Sequence, residues 1–119
     1  MEFVLTFVQP AAVHEVLADP VKGPPLMGAW KSYMDAAVAG GVMRGGNRLA
    51  PFSTTTVRMR EGKRQVQDGP FADTKDLLGG YIVIDVPSLD DALNWAARSP
   101  SSLNGSTEVR PVMVMQAPN

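Results

Sequence analysis

The chain has 119 residues, no cysteine and one histidine, with 45% hydrophobic residues, 19% charged residues and a formal net charge of −1. Without cysteine there is no disulfide, no thiolate nucleophile and no thiolate metal ligand. A near-neutral chain without a Lys/Arg run lacks the basic footprint that duplex nucleic acid requires, so no nucleic-acid partner is expected.

This length and apolar content fit one globular domain over residues 1–119, large enough to build a core without metal or disulfide help. No apolar run reaches membrane-spanning length, so no membrane partner is expected. Glu2 stands where a secretory leader would want a basic residue, which makes the cytoplasm the expected compartment.

Residues 3–8, Phe-Val-Leu-Thr-Phe-Val, predict a first strand ended by Gln9-Pro10. A short helix fits 11–18 inside a proline-rich stretch. Residues 26–40 predict the first long helix, with Pro25 at its start and Gly40-Gly41 at its end. Trp30, Met34 and Ala37 recur along it at helical spacing. A weak strand follows near 42–49, interrupted by Gly45-Gly46. Residues 54–60 and 64–67 predict a hairpin about Glu61-Gly62-Lys63. Its first strand carries Thr54, Thr56, Arg58 and Arg60 on one face, which suits a sheet edge. Residues 81–86 give the strongest strand signal. Ser88 then caps a second helix whose apolar face is Leu89, Ala92, Leu93 and Ala96. A last strand fits 109–115. The order β-α-β, hairpin, β-α-β predicts an α+β, ferredoxin-like antiparallel sheet with two helices on one face and an inserted hairpin.

Asp68-Gly69-Pro70-Phe71-Ala72-Asp73-Thr74-Lys75-Asp76 resembles the signature of the DGPF family, part of the wider YCII-related group. The resemblance continues through Gly79-Gly80-Tyr81, Ser88-Leu89-Asp90-Asp91-Ala92, Trp95-Ala96-Ala97, Pro100 and Glu108-Val109-Arg110-Pro111-Val112. It implies a dimeric α+β barrel built on the ferredoxin-like fold. It also implies, for some members, a His–Asp pair in a cleft and, for others, an association with sigma factors. The histidine of that group is expected near the start of the first long helix, where this chain has Leu26-Met27-Gly28.

Five residues are candidates for chemistry. Asp68 is either an Asx-turn residue or a catalytic carboxylate at a cleft mouth. Lys75 is either a solvated turn lysine or a partner of an anionic substrate. Glu108 and Arg110 share one strand face, as a structural ion pair or, for Arg110, as a clamp on carboxylate or phosphate. His14 is a solvated loop histidine or a base beside Glu15. One histidine and scattered acids do not make a metal site, and no glycine-rich phosphate loop joins a strand to a helix, so no cofactor is expected.

Two functions fit. One is a cofactor-free lyase or isomerase moving a proton on a small polar or anionic molecule, in a cleft near Asp68, Lys75 and Arg110. The other is a non-catalytic ligand-binding or interaction module tied to transcriptional regulation. Strands apolar on both faces, with helices for only one, predict a homodimer packed sheet to sheet.

Overall fold

The computed structural model of the protein describes residues 1–69 and 75–115. Pro70, Phe71, Ala72, Asp73 and Thr74 of the DGPF-like stretch lie outside the described residues.

Alternating aromatic and branched side chains make β1 (Glu2–Pro10), with Phe3, Leu5 and Phe7 buried and Val4, Thr6 and Val8 half-buried on the other face. Pro10 stops the strand and opens α1 (Ala11–Ala18). In the turn after α1, the Asp19 carboxylate accepts from the Val21 and Lys22 amides at 2.8 and 2.9 Å. These bonds hold its pKa below the usual carboxylate range. The long helix α2 (Gly23–Ala39) starts earlier than residue 26, because Pro24 and Pro25 fit a first turn that has no use for their missing N–H groups.

After β2 (Met43–Arg48), strands β3 (Thr55–Arg60) and β4 (Lys63–Asp68) form a hairpin with Glu61 (φ 52°) and Gly62 (φ 74°) at its tip. Two adjacent left-handed residues match the twist of a tight hairpin. Then come β5 (Asp76–Asp85), α3 (Leu89–Arg98), the short α4 (Ser101–Asn104) and β6 (Ser106–Pro111). Ser88 caps α3 by accepting from the Asp91 amide at 3.2 Å.

The main sheet has the order β2-β5-β1-β6, with every neighbouring pair antiparallel. That is the ferredoxin-like order expected. Phe3 lies opposite Ile84 and Leu5 opposite Ile82. Tyr33 of α2 and Ala92 and Ala96 of α3 close over this face to complete the core.

Three details differ from the sequence reading. The strand from Thr55 pairs only with β4, in a separate two-stranded sheet, and the main sheet's edges are β2 and β6. On α3 only Ala92 and Ala96 are buried, whereas Leu89 and Leu93 are 49% and 46% exposed. The small side chains mark the line of closest approach, and the leucines flank it. Finally, β6 ends at Pro111, opposite Phe3. Beyond that point the chain runs past the start of β1 and has little left to pair with, leaving Met113, Val114 and Met115 almost fully exposed.

Tyr33 supplies a pH test of the core. Its hydroxyl donates to the Trp95 carbonyl at 2.9 Å, and burial pushes its pKa up to about 12. The folded state therefore holds this proton better than the unfolded chain does. The stabilisation is complete below about pH 10 and is lost as pH rises toward 12. Urea midpoints from pH 8 to pH 11.5 should fall steeply above pH 10 in the wild type. The fall should be shallower in Tyr33→Phe, and equal slopes would refute the assignment.

Candidate functional site

A cavity of about 620 Å³ lies between α2 and the sheet. Its floor is bare of side chains at four places: Gly45 and Gly46 in β2, and Gly79 and Gly80 in β5. A Cβ on Gly79 would stand 2.5 Å from Cε1 of His14, and one on Gly80 would stand 2.9 Å from the Asn47 carbonyl oxygen. Trp30 and Met34 of α2 prop that helix above the floor, with Trp30 edge-on to Phe7 at 4.8 Å between ring centroids. Leu17, Met27 and Phe52 complete the mainly apolar wall.

His14 sits in this wall. The turn of α1 directs it inward, where it is only 6% exposed. Its Nε2 lies 3.1 Å from the Leu77 carbonyl oxygen, and Phe52 meets the ring edge-on. A carbonyl can only accept, so Nε2 carries the proton and Nδ1 is the free acceptor of the neutral ring. Among the described residues no buried side-chain nitrogen or oxygen lacks a partner. No described group is bonded to Nδ1, and the residue lines the cavity. The ring is thus oriented by a backbone group while one basic nitrogen stays available.

Among the described lining residues the ionisable side chains on the helix side of the sheet are His14, Lys31 and Arg48, with no aspartate or glutamate; Tyr81, opposite Thr6, turns its side chain to the other face. Lys31 is paired with Asp35 at 2.6 Å, which raises its pKa. Arg48, at the end of β2, faces no carboxylate among the described residues. Those residues also hold no cluster of three or more His, Asp or Glu side chains suited to a metal.

The residues singled out from sequence fall in three places. His14 lines the cavity. Asp68 ends β4 opposite Thr55 and is exposed, and Lys75 is exposed immediately before β5. Glu108 and Arg110 sit on the sheet face away from the helices, where they pair at 3.0 Å. Arg110, and then the Thr6 hydroxyl at 3.2 Å, hold the Glu108 carboxyl below its usual range. Asp68, Lys75, Glu108 and Arg110 are absent from the cavity wall. Sequence reasoning missed Arg48, Phe52 and the glycine floor. The signal was there in part: two glycine pairs, Gly45-Gly46 and Gly79-Gly80, fall in adjacent strands.

A one-sided helical layer on a β2-β5-β1-β6 sheet, with a hairpin inserted between its halves, defines a ferredoxin-like α+β protein. Residues 4–116 match the model of the YCII-related domain, and the chain belongs to that family. It is 43% identical over 86 residues to an uncharacterised protein, R00369, of Rhizobium meliloti (strain 1021), a match covering 69% of this chain and 65% of that relative. Among solved structures it is similar to the 5-chloro-2-hydroxyhydroquinone dehydrochlorinase of Burkholderia phenoliruptrix AC1100, in complex with 2,5-dihydroxybenzoquinone. That likeness has a TM-score of 0.53 at 17% identity and covers 95% of this chain and 94% of the other. At that identity the shared property is the fold. No helix among the described residues is long and apolar enough to cross a membrane.

Proposed function

We propose that this protein is a cofactor-free lyase or isomerase in which His14 moves a proton on a small molecule held in the cavity. The observation that carries this reading is the His14 ring itself: buried, anchored through Nε2 to the Leu77 carbonyl, part of the cavity wall, and with no described group bonded to Nδ1. In such a reaction Nδ1 takes a proton from an activated carbon. The Leu77 carbonyl stays on the Nε2 proton and stabilises the imidazolium that forms. The same nitrogen then returns the proton at a second position, or the substrate expels a leaving group. The ring-sized ligand and dehydrochlorinase chemistry of the structural neighbour agree with this.

Proton transfer can be tested before the substrate is known. A panel of small carbon acids, including hydroxylated quinols, is incubated with the protein in D2O, and exchange of the acidic carbon proton is followed by NMR. Accelerated exchange on some of these supports the reading. Binding with no exchange on any of them would turn the assignment to a non-catalytic ligand-binding module, with transcriptional regulation as one setting.

The same proposal includes a homodimer. The sheet face away from the helices carries half-buried Val4, Val8, Tyr81 and Val83, with polar Thr6, Glu108 and Arg110 beside them. No described helix covers it, and the apolar residues 112–115 lie bare nearby. The radius of gyration is 16.6 Å, against roughly 13–14 Å for a compact domain of this length. A second copy packed sheet to sheet would cover this surface. Sedimentation at micromolar concentration should give twice the chain mass, and a monomer mass would refute pairing.

A further inference from the structure

We infer that the cavity takes a monoanion with a flat apolar body, its charge held by Arg48 and its rings lying over the glycine floor. This rests on the reading of the cavity as the binding site, but it does not depend on the chemistry of His14. The body of the ligand follows from the wall. Trp30, Phe7 and Phe52 offer aromatic surface, while the floor between β2 and β5 has no side chains at Gly45, Gly46, Gly79 and Gly80. A planar group can therefore lie directly over peptide backbone. A volume of about 620 Å³ lies within the ~300–1,000 Å³ usual for small-ligand pockets, so a fused or two-ring body fits.

The charge follows from a count of the lining. Its described residues include no carboxylate, so none of them repels an anion. The Lys31 charge is already met by Asp35. Among the described lining residues the permanently charged cation without an ion-pair partner is Arg48, and its forked guanidinium suits a carboxylate, sulfonate or phenolate oxygen. A dianion would leave one charge unmatched beside an apolar wall, which is costly.

Two dyes with the same rings separate these statements. 8-Anilinonaphthalene-1-sulfonate carries one negative charge, and N-phenyl-1-naphthylamine is the same body without it. Fluorescence titration should show saturable one-to-one binding of the sulfonate dye, at least tenfold tighter than that of the neutral dye. Arg48→Leu should weaken the sulfonate dye tenfold or more and leave the neutral dye within twofold, with Arg48→Gln as a second variant. Equal affinities for the two dyes, or sulfonate binding unmoved by both Arg48 variants, would overturn the inference. If the anion sat on the imidazole instead, His14→Gln would cost as much sulfonate affinity as Arg48→Leu, and that outcome would overturn the assignment to Arg48. Met34→Trp or Ala18→Trp, which plug the cavity, should abolish binding of both dyes. Undiminished binding in both folded plug variants would show that the cavity is not the dye site, a failure of the underlying reading rather than of the ligand class.

Discussion

His14→Gln should lower the rate of substrate proton exchange by roughly 10²- to 10⁴-fold, the usual contribution of a positioned general base. Glutamine retains an N–H that can donate to the Leu77 carbonyl, and it is close to histidine in reach, so the helix and its contact with β5 have no reason to fail. It lacks a basic nitrogen for the cavity. The melting temperature should therefore move little while exchange collapses. Gly79→Ala attacks the same ring from the sheet: the new methyl would stand 2.5 Å from Cε1 and must push the imidazole aside. It should lower exchange as well, with a stability cost of about 1–3 kcal/mol typical of overpacking. Exchange in His14→Gln within threefold of the wild type would remove His14 from the mechanism.

Leu5→Ala should cost about 2–5 kcal/mol, a large part of the ~5–15 kcal/mol that holds a domain of this kind together. Leu5 is fully buried at the centre of the sheet, between Ile82 on β5 and Val109 on β6. Truncation removes its packing against both neighbouring strands, and the paired strands cannot collapse into the gap without breaking register. Leu93→Ala, at a position 46% exposed on α3, should cost under about 1 kcal/mol. Urea unfolding checks both: the midpoint should drop sharply for Leu5→Ala at unchanged slope. A cost below about 1 kcal/mol at Leu5 would mean that this strand is not central.

The elements with strong periodicity were legible in the sequence. The alternation of Phe3, Leu5 and Phe7 places β1 and its buried face, and Ser88 marks the start of α3 through a side chain that the structure shows capping it. The site was less legible, because its partners are distant and some are backbone. His14 was weighed against its neighbour Glu15, yet what orients it is the carbonyl of Leu77, 63 residues away, and a carbonyl has no sequence signature. The resemblance to the YCII-related group directs attention to residues 26–28. Met27 does line the cavity there, and the imidazole enters the same space from α1. Gly45-Gly46 read as a weakness in a strand. Only the pairing of β2 with β5 shows that these glycines and Gly79-Gly80 clear a common floor. The outer sheet face also proved more mixed than strand alternation implied, since Thr6, Glu108 and Arg110 form a polar group beside the valines.

The hairpin of β3 and β4 has a consequence for hydrogen exchange. Its strands pair only with each other, and Val57, Met59 and Val66 leave more than half of their surface in water. A two-stranded ribbon with so little packing is marginal by itself. Its amides should open at a free energy far below that of β1 and β5, and trade protons for deuterium in a fraction of the time. That makes the arm a built-in reporter of its surroundings. If a second copy clasps it, its protection should climb as protein concentration rises, while the amides of β1 keep the slow pace set by the core.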